Sequence, residues 1–159
     1  MPAMTNLLVK DDANPLVELT FVPITDTPEP FWRTNMASVP FEGQARLTQS
    51  VIKQKNGSYK VTVKLEVPVM ETLGVSGTSA GYVAPPRVAY VTTAILSVFA
   101  DKRSTVADRS NTVKLMLGLL AGATSVTAAG TLNGASAADA FKSSTAPMPQ
   151  LFSSLVLAS

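Results

Sequence analysis

The feature that most constrains this chain is a pair of alternating segments on either side of Asn56-Gly57. Arg46–Lys55 and Ser58–Val67 each alternate polar with apolar side chains, a pattern typical of half-buried β-strands. An Asn-Gly pair between two such runs strongly indicates a β-hairpin. The chain therefore contains an antiparallel strand pair whose register can be predicted.

The length of the turn decides that register. A two-residue turn at Asn56-Gly57 would set Ser50 against Val63 and mix polar with apolar side chains on both faces. A three-residue loop, Lys55-Asn56-Gly57 with Gly57 in the left-handed conformation, shifts the pairing by one residue. Because a one-residue shift moves every side chain to the other face, the longer loop separates the two classes, and we predict that loop.

In this register the hairpin has an apolar face and a polar face. The apolar face carries Leu47, Val51, Val61, Val63, Leu65 and Val67, with Gln49 as its exception. The polar face carries Arg46, Thr48, Ser50, Lys60, Thr62, Lys64 and Glu66, with Ile52 as its exception. Hydroxyl groups alternating with cations suit phosphates, sugars and base edges.

Basic residues are concentrated in the same hairpin. Residues 43–65 contain five Lys or Arg and no acid, whereas the other eight basic residues share the rest of the chain with all eleven acids. A solvated surface is the ordinary explanation of a charge run, but such a surface usually mixes acids with bases. Only Glu66 does so on the polar face, which favours a surface that binds a polyanion.

The composition argues against several classes of function. The chain has no Cys and no His, which removes disulfides, zinc sites built on those residues and nucleophilic sites that need either one. The carboxylates form no obvious catalytic pair, so we predict no enzyme activity, cofactor or small-molecule substrate. We assign no metal ligands, and a calcium site between subunits stays an open alternative because carboxylates and carbonyls suffice for one. No apolar run approaches the ~18 residues of a membrane span and the N-terminus lacks a signal-peptide pattern, so we predict no membrane partner.

The remaining segments indicate a single α+β domain over residues 1–159. Asn6–Val9 and Leu16–Val22 predict an N-terminal hairpin, and Phe31–Val39 predicts a strand with Trp32 in the core. Arg87–Ala100 predicts a central strand or one buried on much of both faces, because it is largely apolar. Strands without βαβ alternation indicate an antiparallel sheet.

Helical signals follow the strands. Thr105 is a predicted N-cap with Asp108 at the third helical position, and Gly122 is a predicted stop. An apolar stripe recurs at helical spacing in Val106, Val113, Met116, Leu117 and Leu120. Residues 70–86 predict a long loop, residues 135–141 a short helix and residues 151–158 an apolar tail.

Four segments, in this order, resemble the coat proteins of single-stranded RNA phages, the leviviruses. They are RLTQSV (Arg46–Val51), TVKLEVP (Thr62–Pro68), RVAY (Arg87–Tyr90) and VKLMLGLL (Val113–Leu120). The similarity covers residues 39–122, and the tail 123–159 is longer than the family's usual end. The resemblance implies an N-terminal hairpin, a five-stranded antiparallel sheet and two C-terminal helices, with two subunits interlocked into a homodimer that has one continuous sheet.

The resemblance also implies a function. Such proteins build the icosahedral shell of the virion in the bacterial cytoplasm, and they bind a hairpin of the genomic RNA, which represses translation and directs packaging. Thr48 and Ser50 match the family's pocket for an unpaired adenine, with Thr62 and Lys64 on the second strand. Further RNA-binding matches are Arg46, Glu66, Tyr90 and Thr92, although the interval from Tyr90 to Phe99 is one residue shorter than the family's. The loop Glu71–Pro86 matches the loop around the shell's symmetry axes.

A β-rich adhesion or pilus-like structural subunit is the alternative. Such proteins are also poor in charge and rich in Ser, Thr and Ala. They need an export signal, which this sequence lacks, and have no reason to collect five basic residues around one hairpin. The low charge content, 15% against a usual ~25%, fits either hypothesis, since both expect copies of the chain to cover part of its surface.

Overall fold

The computed structural model of the protein describes residues 4–71 and 86–122. Within these ranges the chain forms six β-strands, a short 3-10 helix at Phe41–Gly43 and one α-helix. The elements are β1 (Leu7–Lys10), β2 (Glu18–Thr25), β3 (Phe31–Thr34), β4 (Arg46–Lys53), β5 (Tyr59–Met70), β6 (Val88–Ala100) and α1 (Val106–Leu120). The predicted helix at 135–141, the apolar tail and residues 72–85 of the predicted loop lie outside the described residues.

The strands follow one another in the sheet in chain order. β2 with β3, β3 with β4, and β4 with β5 pair antiparallel, which confirms the predicted antiparallel sheet. β1 and β2 stand where the N-terminal hairpin was predicted, within a few residues. Their connection is ordered by Asp11, whose carboxylate accepts hydrogen bonds from the N–H groups of Ala13 and Val17 at 3.1 and 2.7 Å.

The chain divides into two compact units. The first comprises Met1–Leu7 with Thr20–Phe99, and the second comprises Leu8–Leu19 with Ala100–Ser159. In the first unit Trp32 is only 6% exposed, which confirms its prediction as a core residue. Its indole Nε1–H donates to the carbonyl oxygen of Thr5 at 3.0 Å, so the one polar atom of the ring is satisfied.

β3 is shorter than predicted. The side chain of Gln44 bonds the backbone groups of the following residues, which a longer strand would have paired with a neighbouring strand. The predicted strand ran to Val39, but β3 ends at Thr34, whose buried hydroxyl donates to Gln44 Oε1 at 2.8 Å. The Gln44 amide also accepts from Met36 N at 3.1 Å and donates to the carbonyl oxygens of Met36 and Val39. These bonds hold residues 35–40 as a loop.

The predicted ends of helix α1 are confirmed. Thr105 Oγ1 accepts from the N–H of Asp108, and Thr105 N–H donates to the Asp108 carboxylate at 2.9 Å, forming a capping box. Gly122 follows the helix with φ 90°, the left-handed conformation in which glycine ends helices at low cost. None of the residues of α1 is buried. The ends of the helix are therefore fixed by local contacts, while its stripe of apolar side chains stays largely exposed to solvent.

β6 departs from the prediction. It was expected to be a central strand or one buried on much of both faces, but it is the last described strand in the sheet order and is exposed over most of its length. The prediction was wrong for the single chain, because β6 has a neighbouring strand on one side only among the described strands and most of its side chains have no covering layer. Its apolar side chains, among them Ile95 and Val91, remain accessible.

Candidate nucleic-acid interface

The register of the β4–β5 hairpin is the predicted one. Ser50 lies opposite Thr62, and the other cross-strand pairs keep the same offset. Gln54 N–H donates to the Ser58 carbonyl at 2.8 Å, and Gly57 N–H donates back to Gln54 at 2.9 Å. Gly57 has φ 83°, so the three-residue loop with a left-handed glycine is confirmed.

This register brings the predicted hairpin residues onto one surface, which we call the polar face. Its directly opposed pairs are Arg46 with Glu66, Thr48 with Lys64, Ser50 with Thr62, and Ile52 with Lys60. All of these side chains except Ile52 are half-buried. They therefore line the sheet surface instead of extending freely into solvent.

A cavity of about 210 Å³ opens in the middle of the polar face, and we call it the hydroxyl pocket. It is lined by Thr48, Ser50, Thr62 and Lys64 together with Gln49 and Glu29. The volume is below the ~300–1,000 Å³ of typical small-molecule pockets. Three hydroxyl groups that can each donate and accept surround a space that suits one small polar group.

Glu29 is a pocket residue that the sequence did not reveal. It belongs to the connection between β2 and β3, and no local sequence pattern indicates its neighbours. The pairing of β3 with β4 sets Phe31 opposite Thr48, and Gln49 N–H donates to the Pro30 carbonyl at 3.0 Å. This long-range pairing carries Glu29 to the edge of the pocket.

Lys64 is held by an ion pair. Its Nζ lies 2.8 Å from Glu66 Oε1, two residues further along β5 on the same face. Both side chains are partly exposed, at 41% and 28%, so the pair contributes little to stability. Its effect is to fix the position of the ammonium group at the pocket wall.

β6 adds residues that the sequence did not reveal. Thr62 Oγ1 and Ser97 Oγ lie 3.2 Å apart, and Lys60 Nζ lies 5.9 Å from the centre of the Phe99 ring. Both contacts fit a single antiparallel register of β5 with β6, because the residue numbers of the two pairs have the same sum. They put Ser97 and Phe99 on the polar face, and Phe99 is 65% exposed.

The other end of β6 has a different register. Glu71 N–H donates to the Arg87 carbonyl at 2.8 Å, which sets these two residues opposite each other. From this point to the Thr62–Ser97 contact, β6 uses one residue more than β5. A β-bulge between Arg87 and Ser97, with one residue of β6 lacking a direct partner, would account for this difference. Tyr90 and Thr92 lie on this stretch, and neither lines the hydroxyl pocket.

Arg33 and Phe41 are a further pair that the sequence analysis missed. Arg33 lies directly opposite Arg46 in the β3–β4 pair. The central carbon of the Arg33 guanidinium is 4.1 Å from the centre of the Phe41 ring, and that of Arg46 is 6.0 Å from it. Arg33 and Phe41 lie outside the basic segment at residues 43–65, so the charge pattern of the sequence did not indicate them. The pairing of β3 with β4 brings Arg33 next to Arg46.

Metal-binding clusters and membrane-spanning helices are absent from the described ranges. No group of three or more His, Cys, Asp and Glu side chains there could hold a metal ion. No helix in the described part of the chain is both long and apolar enough to cross a membrane. The chemistry that the polar face offers is hydrogen bonding by hydroxyl groups and attraction by cations.

Comparisons with known proteins agree on one family. The family described as Levivirus coat protein matches residues 2–138. The chain is 35% identical over 113 residues to the capsid protein of Pseudomonas phage PRR1, covering 71% of this chain and 82% of that protein. These matches extend well beyond the residues that carry the resemblance in the sequence.

Solved structures give the same result. The virus-like particle of bacteriophage EMS014 has 42% identity and a TM-score of 0.87, covering 99% of this chain and 100% of that chain. The capsid protein of bacteriophage GA has 24% identity and a TM-score of 0.52, covering 65% of this chain and 74% of its own. The second likeness concerns the fold alone.

Proposed function

Since the chain belongs to the levivirus coat protein family and is a phage capsid protein, we propose that it binds the viral genomic RNA on its polar face and assembles from homodimers into an icosahedral shell. As a capsid protein it is a component of the virion, and we propose assembly in the bacterial cytoplasm. The alternative of an adhesion or pilus-like subunit is set aside, because the relatives are phage capsid proteins.

The hydroxyl pocket is the observation that carries the RNA-binding proposal. Thr48, Ser50 and Thr62 surround it with groups that can both donate and accept hydrogen bonds, which suits the edge of a flat base. The resemblance implies an unpaired adenine in an RNA hairpin as that base. Through this hairpin the protein would both repress translation and mark the genome for packaging.

The cations around the pocket would bind the RNA backbone. Lys64 lines the pocket and Lys60 and Arg46 lie on the same face, so phosphates on either side of the base would meet a positive group. Glu66 now pairs with Lys64. A phosphate that approaches Lys64 would take over this exposed and weak interaction.

Tyr90 and Thr92 join the site if the bulge of β6 lies between Thr92 and Ser97. Counting from the Glu71–Arg87 hydrogen bond, Tyr90 is then opposite Pro68 and Thr92 opposite Glu66, both on the polar face. We propose this position for the bulge. The Tyr90 ring, 61% exposed, would then stack on a base.

Homodimer formation is supported by apolar surface that the single chain leaves uncovered. Val51 of the apolar face is 67% exposed, and Leu117 of α1 is 54% exposed. β6 also has an unpaired edge among the described strands, which is a template for another strand. A second copy that extends the sheet at β6 and contributes its helix would cover these surfaces.

The RNA-binding proposal is tested with an RNA hairpin that carries one unpaired adenosine. Replacing both Arg46 and Lys64 by Ala should weaken binding and lower the slope of log affinity against log salt by about one unit per lost phosphate contact. Arg103→Ala, which removes a cation outside the polar face, is the matched control. Unchanged affinity in the double variant would contradict the assignment of the polar face.

The pocket has its own test. Thr48→Val and Ser50→Ala should reduce the preference for the hairpin with the unpaired adenosine over a fully paired hairpin, while the salt slope stays the same. For assembly, electron microscopy of the purified protein should reveal closed particles that contain nucleic acid. A salt-indifferent monomer under native conditions would contradict the shell proposal.

A further inference from the structure

We propose that Arg33, Phe41 and Arg46, which we call the arginine cluster, form a second phosphate-binding subsite on the polar face. The subsite would bind the RNA backbone next to the nucleotide whose base enters the hydroxyl pocket. This inference rests on the proposed RNA binding and extends it to residues outside the basic hairpin.

The strand pairing sets the position of the arginine cluster. Phe31 lies opposite Thr48, a pocket residue, and Arg33 lies opposite Arg46, two residues further along both strands. Two residues of a β-strand span about 7 Å, and positions two apart point to the same face. The cluster therefore continues the surface that carries the pocket.

The positive charges of the arginine cluster favour binding of an anion. Like charges directly opposite each other in a sheet are destabilising, yet Arg33 and Arg46 occupy such a pair. The ion pairs found in residues 4–71 and 86–122 are Lys64 with Glu66 and Arg103 with Asp101, so neither arginine has a carboxylate at ion-pair distance there. The carboxylate opposite Arg46, that of Glu66, is paired with Lys64.

A phosphate suits this arrangement better than a single carboxylate does. It has several acceptor oxygens, and each guanidinium can donate two parallel hydrogen bonds to it. One phosphate could therefore contact both arginines at once. The contacts would offset the repulsion that the unliganded pair carries.

Phe41 acts as a positioning residue. A guanidinium 4.1 Å from the ring centre is within cation–π range, and that of Arg46 at 6.0 Å is at its limit. The ring itself is 59% exposed. By holding the two guanidinium groups beside it, the ring reduces the side-chain entropy lost when they bind a ligand.

Binding of an RNA hairpin by unassembled full-length protein tests the proposal. Arg33→Ala should weaken binding about tenfold, the effect of one charge-assisted hydrogen bond, and reduce the salt slope by about one unit. Phe41→Leu keeps both charges, so it should weaken binding while the slope stays at its wild-type value. Phe41→Tyr keeps an aromatic ring, so its affinity should match that of the wild-type protein.

Lys64→Ala and Arg103→Ala, measured in the same assay, separate this inference from the proposed function. If Lys64→Ala weakens binding but Arg33→Ala and Phe41→Leu match Arg103→Ala, the subsite is wrong and RNA binding on the polar face stands. If Lys64→Ala also has no effect, the proposed function fails. If Arg33→Ala changes particle assembly but not RNA affinity, the arginine cluster is a protein contact and the inference is overturned.

Discussion

The β4–β5 hairpin and helix α1 differ in how many of their stabilising contacts come from within the single chain. The hairpin has its turn, its register and a neighbouring strand on each side within the described sheet. The helix has a complete N-cap and a glycine stop, but none of its residues is buried. A helix of this length is marginally stable in water without packing of its apolar stripe.

This difference indicates where folding and assembly are coupled. Residues of the hairpin such as Val63 and Leu65 are half-buried in the single chain. The stripe of α1, in contrast, gains most of its burial only when another surface covers it. We therefore expect changes in the helix stripe to affect assembly, and changes in the hairpin turn to affect the stability of the chain itself.

The largest expected effect comes from a charge in the helix stripe. Leu117→Asp should abolish dimers and particles, because it would bury an unpaired carboxylate in the proposed interface. Since Leu117 is 54% exposed in the single chain, the variant should still fold, as measured by circular dichroism. Asn111→Asp, which adds the same charge at an exposed position six residues earlier and about 120° away around the helix axis, should assemble normally. Particles formed by Leu117→Asp would show that the stripe is not an interface.

Two glycine-to-alanine changes, one in the hairpin and one in the helix, should change the free energy of unfolding in opposite directions. Gly57→Ala forces a side chain into the left-handed conformation and should lower the free energy of unfolding by about 1–2 kcal/mol. Gly118→Ala lies in α1, where an added Cβ meets no atom within 4 Å, and should raise it by about 1 kcal/mol through helix propensity. Urea denaturation of the unassembled protein measures both. Equal effects of the two changes would mean that the hairpin turn is not held as described.

The smallest expected effect concerns pH. The backbone N–H of Thr105, and then its side chain, lower the pKa of Asp108 below the ordinary 3.8. A carboxyl whose pKa is lowered on folding stabilises the fold above its unfolded pKa and loses this contribution as pH falls through its folded pKa. Asp108→Asn should therefore flatten the acid limb of the stability curve, with little change elsewhere. Thr105→Ser, which keeps the hydroxyl cap, is the control, and an unaltered acid limb in Asp108→Asn would contradict the role of the cap.

The predictable parts of the molecule are those set by neighbours in the sequence. Alternation and the Asn56-Gly57 pair determine the hairpin register, and the spacing from Thr105 to Asp108 determines the helix start. The end of β3 was not predictable, because it depends on the side chain of Gln44, ten residues beyond Thr34. The sequence also contains no signal for the edge position of β6, which is a property of the whole sheet.

The same reasoning explains the outcome for the candidate site. The hairpin residues around the hydroxyl pocket were predicted because one strand pair presents them. Glu29, Arg33 and Phe41 were missed because the pairing of β3 with β4 brings them to the polar face. The RNA contacts of the hairpin residues, of Tyr90 and of Thr92 all remain predictions.

A β-bulge in β6, as inferred from the contacts at its two ends, would let this strand change in length. Losing one residue from a regular strand would turn every following side chain to the opposite surface of the sheet, which would exchange ligand-facing and interface-facing positions at once. A bulge can absorb or release one residue and keep both sets in place. Such a bulge would let the interval between Tyr90 and Phe99 change by one residue while both surfaces keep their side chains. For this strand, relatives should be aligned by the face that each side chain occupies, since counting residues from a shared motif would pair positions with different roles.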